Sequence, residues 1–349
     1  MTTQTGIIVE GIDKPYRIVD TIRRSTPGPN QVLVKCLAVG LSPVEAMQQH
    51  TGILISEWPA IIGSDCAGVV VETGANVTKL SVGDHVCGVA PLGQNKFAPF
   101  QETFLAQEDI FIKLSPRISV QDGCTIGSGL ITAALCLFSG ADLKLPEKTT
   151  ETQTKDEWIV ILGGSGSVGQ YAVQISKLCG YKVLACSSPS KQAAATRNGA
   201  SATFNSRGSV DEQVADIQKI TNGNFGRIMD ASSHGFEVMV NALQNSSTAT
   251  EKYLTTVDDW SEVSTPAPIK EYRASLGHLY RLDEPIGTRV TADIVKYIPI
   301  LEKHLAAGTL KPLQYQGVDG VGWDKVIQGI QELEAGKAEK KIVVRTQEE

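Results

Sequence analysis

Gly164, Gly166 and Gly169 form a G-x-G-x-x-G run, read in full as Gly164-Ser165-Gly166-Ser167-Val168-Gly169. Residues 158–162 before it are a continuous apolar stretch, and residues 170–178 after it are amphipathic at helical spacing. Gly180 stops that helix, and a second apolar stretch covers 182–186. Strand, tight loop, helix and strand within about 30 residues make a βαβ unit with parallel strands. In that setting the first glycine permits the turn. The second lets the backbone approach a pyrophosphate, and the third lets helix and strand pack closely. Free amides at the helix N-terminus then face the phosphates. A plain glycine-rich turn is the alternative, and the flanking strand and helix select dinucleotide binding over it.

The end of the second strand selects the dinucleotide. An NAD site places Asp or Glu there, roughly 20 residues past the glycines, to hold the ribose 2′-hydroxyl. This chain has Cys186-Ser187-Ser188-Pro189-Ser190-Lys191, with no carboxylate to repel a 2′-phosphate. Ser187 and Ser188 can donate hydrogen bonds and Lys191 can supply charge, so the expected cofactor is NADPH. Ser188 before Pro189 also suits a helix N-cap, and the two roles are compatible.

Other chemistries find little support. The histidines at 50, 85, 234, 278 and 304 show no metal-ligand spacing, and no catalytic triad can be argued from residue order. Seven cysteines are scattered without a CxxC pair, as expected of reduced thiols in a cytoplasmic protein. A net charge of −6 and a pI near 5.5 argue against a nucleic-acid partner. The uncharged stretch 124–141 is broken by Gly127, Ser128, Gly129, Ser139 and Gly140, so it reads as a buried helix and not a membrane span. Neither terminus carries a targeting signal.

These residues need elements to hold them. A length of 349 residues suggests two domains. Residues 1–125 carry short β-patterned runs, at 32–39, 67–72 and 82–88, punctuated by Gly and Pro. Such runs predict a barrel-like β domain. A polar segment follows at 146–157, then the βαβ unit. Further α/β elements are expected at 202–204, 211–221 and 227–230, helices at 291–307 and 323–335, and a strand at 341–345. The fold class is therefore α/β.

Gly63-Ser64-Asp65-Cys66-Ala67-Gly68-Val69-Val70-Val71-Glu72-Thr73-Gly74, then Val82-Gly83-Asp84-His85-Val86, the glycine loop and the closing 336–344 segment resemble the medium-chain dehydrogenase/reductase superfamily. The resemblance covers nearly the whole chain. It implies a GroES-like β-barrel catalytic domain, residues 1–128 with 305–349, and a Rossmann doubly wound parallel-sheet domain, residues 129–304. Zinc alcohol dehydrogenases of that superfamily hold their metal with Cys and His ligands. The corresponding positions here are Ser42 and Ser64, and no cluster of closely spaced cysteines is present, so no metal is expected. Without a Lewis acid at oxygen, reduction of an activated C=C is the expected chemistry, with conjugation carrying charge to the carbonyl.

Leu41-Ser42-Pro43-Val44-Glu45, residues 60–65 and 97–102, and Gly129-Leu130-Ile131-Thr132-Ala133-Ala134 are similar to one branch of that superfamily, the fungal trans-acting enoyl reductases that serve polyketide synthases. The resemblance implies NADPH-dependent reduction of a carrier-bound α,β-unsaturated thioester by a monomeric protein with a synthase partner. It places the nicotinamide near Pro43, Val44, Met47 and Thr132, with Thr256, Val257, Val343 and Val344 closing that end. Ser165 to Val168 would hold the pyrophosphate, and Ser187, Ser188 and Lys191 the 2′-phosphate. A substrate tunnel would draw on Ala133, Ala134, Leu137, Phe138, Leu276, Gly277, Leu279 and Tyr280. Thr132 is the candidate catalytic side chain, orienting a carbonyl or the nicotinamide amide; its alternative is a cap at the start of a 130–137 helix.

Three positions depart from that branch. Glu45-Ala46-Met47 stands where it has Asp, an aromatic residue and Lys. Ser206, with Arg207 beside it, stands where it has Tyr near the adenine ribose. Leu279-Tyr280-Arg281 replaces Phe-Gly-Glu. Two other functions fit the same scaffold: a quinone or enone reductase, and a biosynthetic cyclase or isomerase that keeps the fold without redox use of the cofactor.

Overall fold

The computed structural model describes residues 2–151, 154–247 and 251–348. Within the polar segment 146–157, residues 152 and 153 lie outside the described residues. The chain divides into two compact units, Met1–Ser128 with Gly277–Glu349, and Gly129–Leu276.

The second unit is built on a six-stranded parallel sheet. Its order across the sheet is Ala202–Asn205, Lys182–Ser187, Trp158–Leu162, Phe225–Asp230, Tyr253–Thr256 and Lys270–Arg273. Numbered within this unit, the order is 3-2-1-4-5-6, that of a doubly wound dinucleotide-binding sheet. Its first strand is apolar throughout because helices cover both faces of such a sheet. Ile159, Val160 and Ile161 are fully buried. The helix Ser167–Leu178 buries Tyr171, Ala172, Val173 and Ile175. The helix Val210–Thr221 starts at a capping box: Ser209 Oγ accepts from Glu212 N–H, and Glu212 Oε2 accepts from Ser209 N–H.

The uncharged stretch forms the helix Gly127–Ala134, which continues as a π-helical segment, Leu135–Gly140. Residues Leu130, Ala133, Leu135, Cys136 and Leu137 have no exposed surface. The stretch is long and apolar enough to cross a membrane by composition, but it is a core element of the fold. A Cβ at Gly129 would lie 3.2 Å from Ser167 Cβ, so this helix runs close against Ser167–Leu178.

The first unit carries a two-stranded sheet, Thr3–Ile8 with Arg17–Arg23, and a larger mixed sheet. In the larger sheet Lys341–Arg345 lies between Tyr315–Val321 and Gln31–Leu41, followed by Asp65–Thr73, His85–Val89 and Ile112–Lys113. The helix expected over 291–307 begins earlier, as Pro285–Ala307, with Pro at its start where a missing N–H costs nothing. It belongs to the first unit: Glu302 accepts from Lys113 N–H at 3.0 Å and pairs with Lys79 at 3.2 Å. The second boundary therefore falls at Gly277 and not at 305. The long-range ion pair and hydrogen bond that assign this helix leave no trace in local hydrophobic pattern.

The last strand is fitted around a glycine. Ile342 pairs with Leu41 and Val343 with Gly40. A Cβ at Gly40 would sit 2.4 Å from Cys124 O and 2.9 Å from Lys341 Cε. Overpacking of this kind costs about 1–3 kcal/mol, and each kcal/mol is worth roughly 2–4 °C at this size. Gly40→Ala is expected to lower the melting temperature by about 3–10 °C in differential scanning calorimetry.

Candidate functional site

In the second unit the glycine loop lies between strand and helix as its spacing predicts, but the left-handed turn residue is Gly163, at φ 70°, and not Gly164. Gly164 N–H donates to Cys186 O at 2.8 Å, locking the loop to the end of the second strand. A Cβ on Gly164 would press on Ala185 Cβ at 2.8 Å, and one on Gly169 would lie 2.2 Å from Gly163 O. These two glycines serve close packing. Gly166 differs: a Cβ there would meet only Gly163 O, at 3.5 Å. It is exposed and caps the helix Ser167–Leu178, leaving an open approach to the helix N-terminus. Gln170 Nε2 donates to Ser165 O at 2.8 Å and steadies the loop from inside that helix.

The second-strand end supplies the other half of this cradle. Ser187 is 3 % exposed and its hydroxyl has no hydrogen-bond partner. Buried polar atoms are nearly always paired, and this hydroxyl has its hydrogen-bonding capacity open. Ser188 occupies the N-cap position of the Pro189–Lys191 turn, yet its hydroxyl makes no cap bond. Lys191 is exposed beside it. Ser206 N–H donates to Ser187 O at 3.2 Å, bringing Ser206 and exposed Arg207 to the same strand edge. Open amides, an orphan hydroxyl and a free ammonium form a donor set that fits a phosphorylated dinucleotide.

Other expected residues of this unit lie deeper. Thr256 is 2 % exposed and its Oγ1 accepts from Asp258 N–H, so it shapes a turn, with Val257 half-buried next to it. Thr132 is 7 % exposed in the interior of Gly127–Ala134, not at its start, so the capping alternative is overturned: the helix begins five residues before it. Ala133, Ala134 and Leu137 are buried core residues, Phe138 is at 9 % exposure, and Leu276 ends the unit half-buried.

In the first unit the informative feature is a buried polar cluster at the start of the helix Pro43–Thr51. Pro43 and Met47 are exposed and Val44 half-buried, while Glu45 and Gln48 point the other way and are buried. Glu45 Oε2 accepts from Ser42 N–H at 2.7 Å, and Glu45 Oε1 accepts from Ser64 Oγ at 2.5 Å. Asp65 accepts from Ser128 N–H and from Ser128 Oγ, the latter at 2.7 Å. Lys341 Nζ reaches in from the last strand, forms an ion pair with Asp65 and donates to Ser42 Oγ at 2.5 Å. The Lys341 and Asp65 side chains are only 6 % and 1 % exposed. A Cβ at Gly127 would lie 2.2 Å from Asp65 Oδ1, so Gly127 and Gly40 both leave room for the cluster. Ser42 and Ser64, the positions set against zinc ligands by sequence, are thus taken up by carboxylates and an ammonium. Among the described residues no three His, Cys, Asp or Glu gather as metal ligands.

Val343 and Val344 are buried in the last strand. The segment replacing Phe-Gly-Glu is tied down within this unit. Tyr280, at φ 60°, donates its hydroxyl to Asp109 and lines a cavity of about 480 Å³ with Gly28, Gln31 and Asp109. Leu279 is 1 % exposed, Arg281 donates to Leu54 O at 2.7 Å, and a Cβ at Gly277 would strike Leu54.

Sequence reasoning missed Lys341, Asp65 and Glu45 as a group. One local signal was present: Ser42-Pro43-Val44-Glu45 is an S-x-x-E helix start. The contacts of Lys341 span 276 and 299 residues, beyond any local pattern.

Burial drives the Glu45 carboxyl up from 4.5 to about 7, with Lys341 and the Ser64 hydroxyl pulling it down and Asp65 pushing it up. The folded protein therefore keeps this proton up to about pH 7, whereas the unfolded chain loses it near 4.5. Stability should fall as pH rises through that window, by roughly 3 kcal/mol in all. Glu45→Gln retains an acceptor and a donor for Ser42 and Ser64, and should remove that part of the decline. The measurement is melting temperature at pH 5 against pH 8, with a difference of about 5–10 °C between wild type and variant.

The architecture is that of a medium-chain dehydrogenase/reductase: a GroES-like unit and a 3-2-1-4-5-6 nucleotide sheet. Residues 28–114 match the alcohol dehydrogenase GroES-like domain. The trans-enoyl reductase tazE of Aspergillus terreus is 33 % identical over 219 residues, 60 % of this chain and 71 % of that one. The trans-enoyl reductase eqxC of Fusarium heterosporum is 29 % identical over 332 residues, 91 % of each chain. The CurK enoyl reductase crystal structure superposes with a TM-score of 0.74 at 18 % identity, covering 99 % of both chains. An alcohol dehydrogenase superfamily protein from Novosphingobium aromaticivorans gives 0.78 at 18 %, covering 99 % of this chain and 100 % of that one. The chain belongs to the fungal trans-enoyl reductase family.

Proposed function

We propose that this protein is an NADPH-dependent enoyl reductase acting on an α,β-unsaturated thioester carried by a polyketide synthase. The observation that carries the cofactor assignment is the buried, unpartnered Ser187 hydroxyl at the end of a carboxylate-free second strand. Family membership supports the substrate class, since the matched relatives bear the name trans-enoyl reductase. When bound, NADPH supplies a hydride to the β-carbon of the enoyl group. The π electrons move toward the thioester carbonyl, and the α-carbon takes a proton from solvent.

The chain's own residues do the holding. The amides of Ser165 to Val168 would hold the pyrophosphate, and Ser187, Ser188 and Lys191 the 2′-phosphate, with Ser206 and Arg207 holding the adenosine edge. Thr256 and Val257 of the second unit are proposed to line the nicotinamide, and Pro43, Val44, Met47, Val343 and Val344 of the first unit remain candidates for it on the family resemblance alone. Thr132, Ala133, Ala134, Leu137, Phe138, Leu276, Gly277, Leu279 and Tyr280 are the candidate substrate side. The protein is proposed to act as a cytoplasmic monomer.

Purified protein with NADPH and a crotonyl-type thioester on a carrier domain should consume the reduced-nicotinamide absorbance and yield the saturated thioester by mass spectrometry. No consumption would overturn the reductase reading. Turnover of a free quinone but not of the carrier thioester would move it to a quinone reductase. A charged hydrogen bond from an exposed lysine is worth about 1.5 kcal/mol, or roughly tenfold in affinity. Lys191→Ala is therefore expected to raise the NADPH dissociation constant about tenfold in calorimetric titration and leave that for NADH unchanged.

A further inference from the structure

We propose that His50 is a proton-operated clamp: as an imidazolium it fastens the ends of two helices and the turn at 11–13 to one another, and as a neutral ring it lets those ends loosen. The clamp lies wholly within the first unit. It is independent of the reaction proposed above.

The protonation state follows from geometry. His50 Nδ1 lies 2.8 Å from Asp13 Oδ1, and Nε2 lies 2.9 Å from Glu334 Oε1. An ionised carboxylate only accepts, and a neutral imidazole has one donor and one acceptor. Only the doubly protonated ring satisfies both contacts. A neutral ring turns a lone pair toward one of the two acids and gives up that bond. Asp13 and Glu334 are 37 and 284 positions from His50, so one proton joins three separate stretches of chain.

The helix ends add to this bias. His50 is in the last turn of the helix Pro43–Thr51, and Glu334 is the last residue of the helix Trp323–Glu334. A helix C-terminus carries partial negative charge, which favours a cation and disfavours a carboxylate. The imidazolium therefore answers two helix ends and the acid that stands at one of them. The turn is bound at the same place: Asp13 N–H donates to Gln49 O at 2.9 Å, filling an open carbonyl of the helix end, and Gln49 Nε2 donates to Lys14 O at 2.8 Å. Asp13 holds φ 58°, a left-handed state that costs free energy and persists only where contacts enforce it.

The charged groups facing His50 are Asp13 from the turn and Glu334 from the second helix. Tyr16, which feels both Glu334 and Glu45, donates its hydroxyl to the Glu45 backbone carbonyl at 3.4 Å. The hydrogen bonds to Asp13 and Glu334 hold the His50 pKa above its usual 6.5. The clamp is therefore complete below 6.5 and is lost as pH rises through the raised value. The His50, Asp13 and Glu334 side chains keep contact with water, so salt weakens the clamp.

The test uses the full-length protein and two readouts. The first is the NMR titration of the His50 ring, assigned by its loss in His50→Gln. It should titrate above 6.5 in the wild type, and closer to 6.5 in Asp13→Asn, in Glu334→Gln and in high salt. The second is amide hydrogen exchange at Asp13, Ala335, Gly336 and Lys337, whose N–H groups donate to Gln49 O, Gln331 O, Leu333 O and Glu332 O. Exposed ion pairs of this kind are worth about two- to fivefold in an equilibrium. Protection at these amides should fall by about that factor between pH 6 and pH 8. His50→Arg stays cationic and can donate to both acids, so its protection should stay high at both pH values. His50→Gln should be poorly protected at both.

A wild-type His50 that titrates at or below 6.5 would overturn the proposal. So would a fall in protection that persists undiminished in His50→Gln, which would place its origin at Glu45, or one that His50→Arg does not prevent.

Discussion

A charge taken out of water must be answered, and in the GroES-like unit that requirement organises a large share of the structure. Asp65 and Lys341 are almost without solvent contact. Desolvating two ions costs several kcal/mol each unless partner geometry and further hydrogen bonds restore it. Ser128 gives Asp65 a backbone amide and a hydroxyl, and Ser42 gives a third donor. Gly40 and Gly127 clear the space these groups need. The last strand is held between Tyr315–Val321 and Gln31–Leu41 partly because its first residue carries the only ammonium that this carboxylate pairs with among the described residues. Removing one member would leave the others worse placed than if none had been buried.

The Rossmann unit solves a different problem with backbone alone. Gly164 and Gly169 are glycines because a Cβ has nowhere to go, whereas at Gly166 a Cβ would make only an ordinary contact with Gly163 O. The Ser187 hydroxyl at the end of the second strand is buried without a hydrogen-bond partner among the described residues. The first unit answers its buried charges with side-chain partners, and the second fits its loop with backbone and glycine.

The parts legible in sequence are those governed by local periodicity. Trp158–Leu162 and Lys341–Arg345 stand where their apolar runs placed them, and the glycine loop lies between strand and helix as its spacing required. The helix-start alternative for Thr132 rests on the break that Gly127-Ser128-Gly129 suggests, yet that segment is helical and packs close on Ser167. The helix beginning at Pro285 was placed six residues late and in the wrong unit, since Glu302 declares its allegiance only through Lys79 and Lys113. Lys341 reads as one more surface lysine in a basic run until its partners, nearly 300 residues away, are seen. Local pattern carries period and capping; it does not carry which distant charge a side chain will meet.

That distance also orders events in time. The whole of Gly129–Leu276 is synthesised between the two halves of the first unit. Asp65, Ser42 and Glu45 emerge early, and their cation arrives only with the closing strand. Domains usually fold as they emerge, N-terminal first, but here the early half meets a carboxylate whose partner does not yet exist. The first unit can therefore mature only after the nucleotide-binding unit has been made. A chain cut short anywhere in between lacks the cation that lets Asp65 be buried, so its first half stays short of the finished unit.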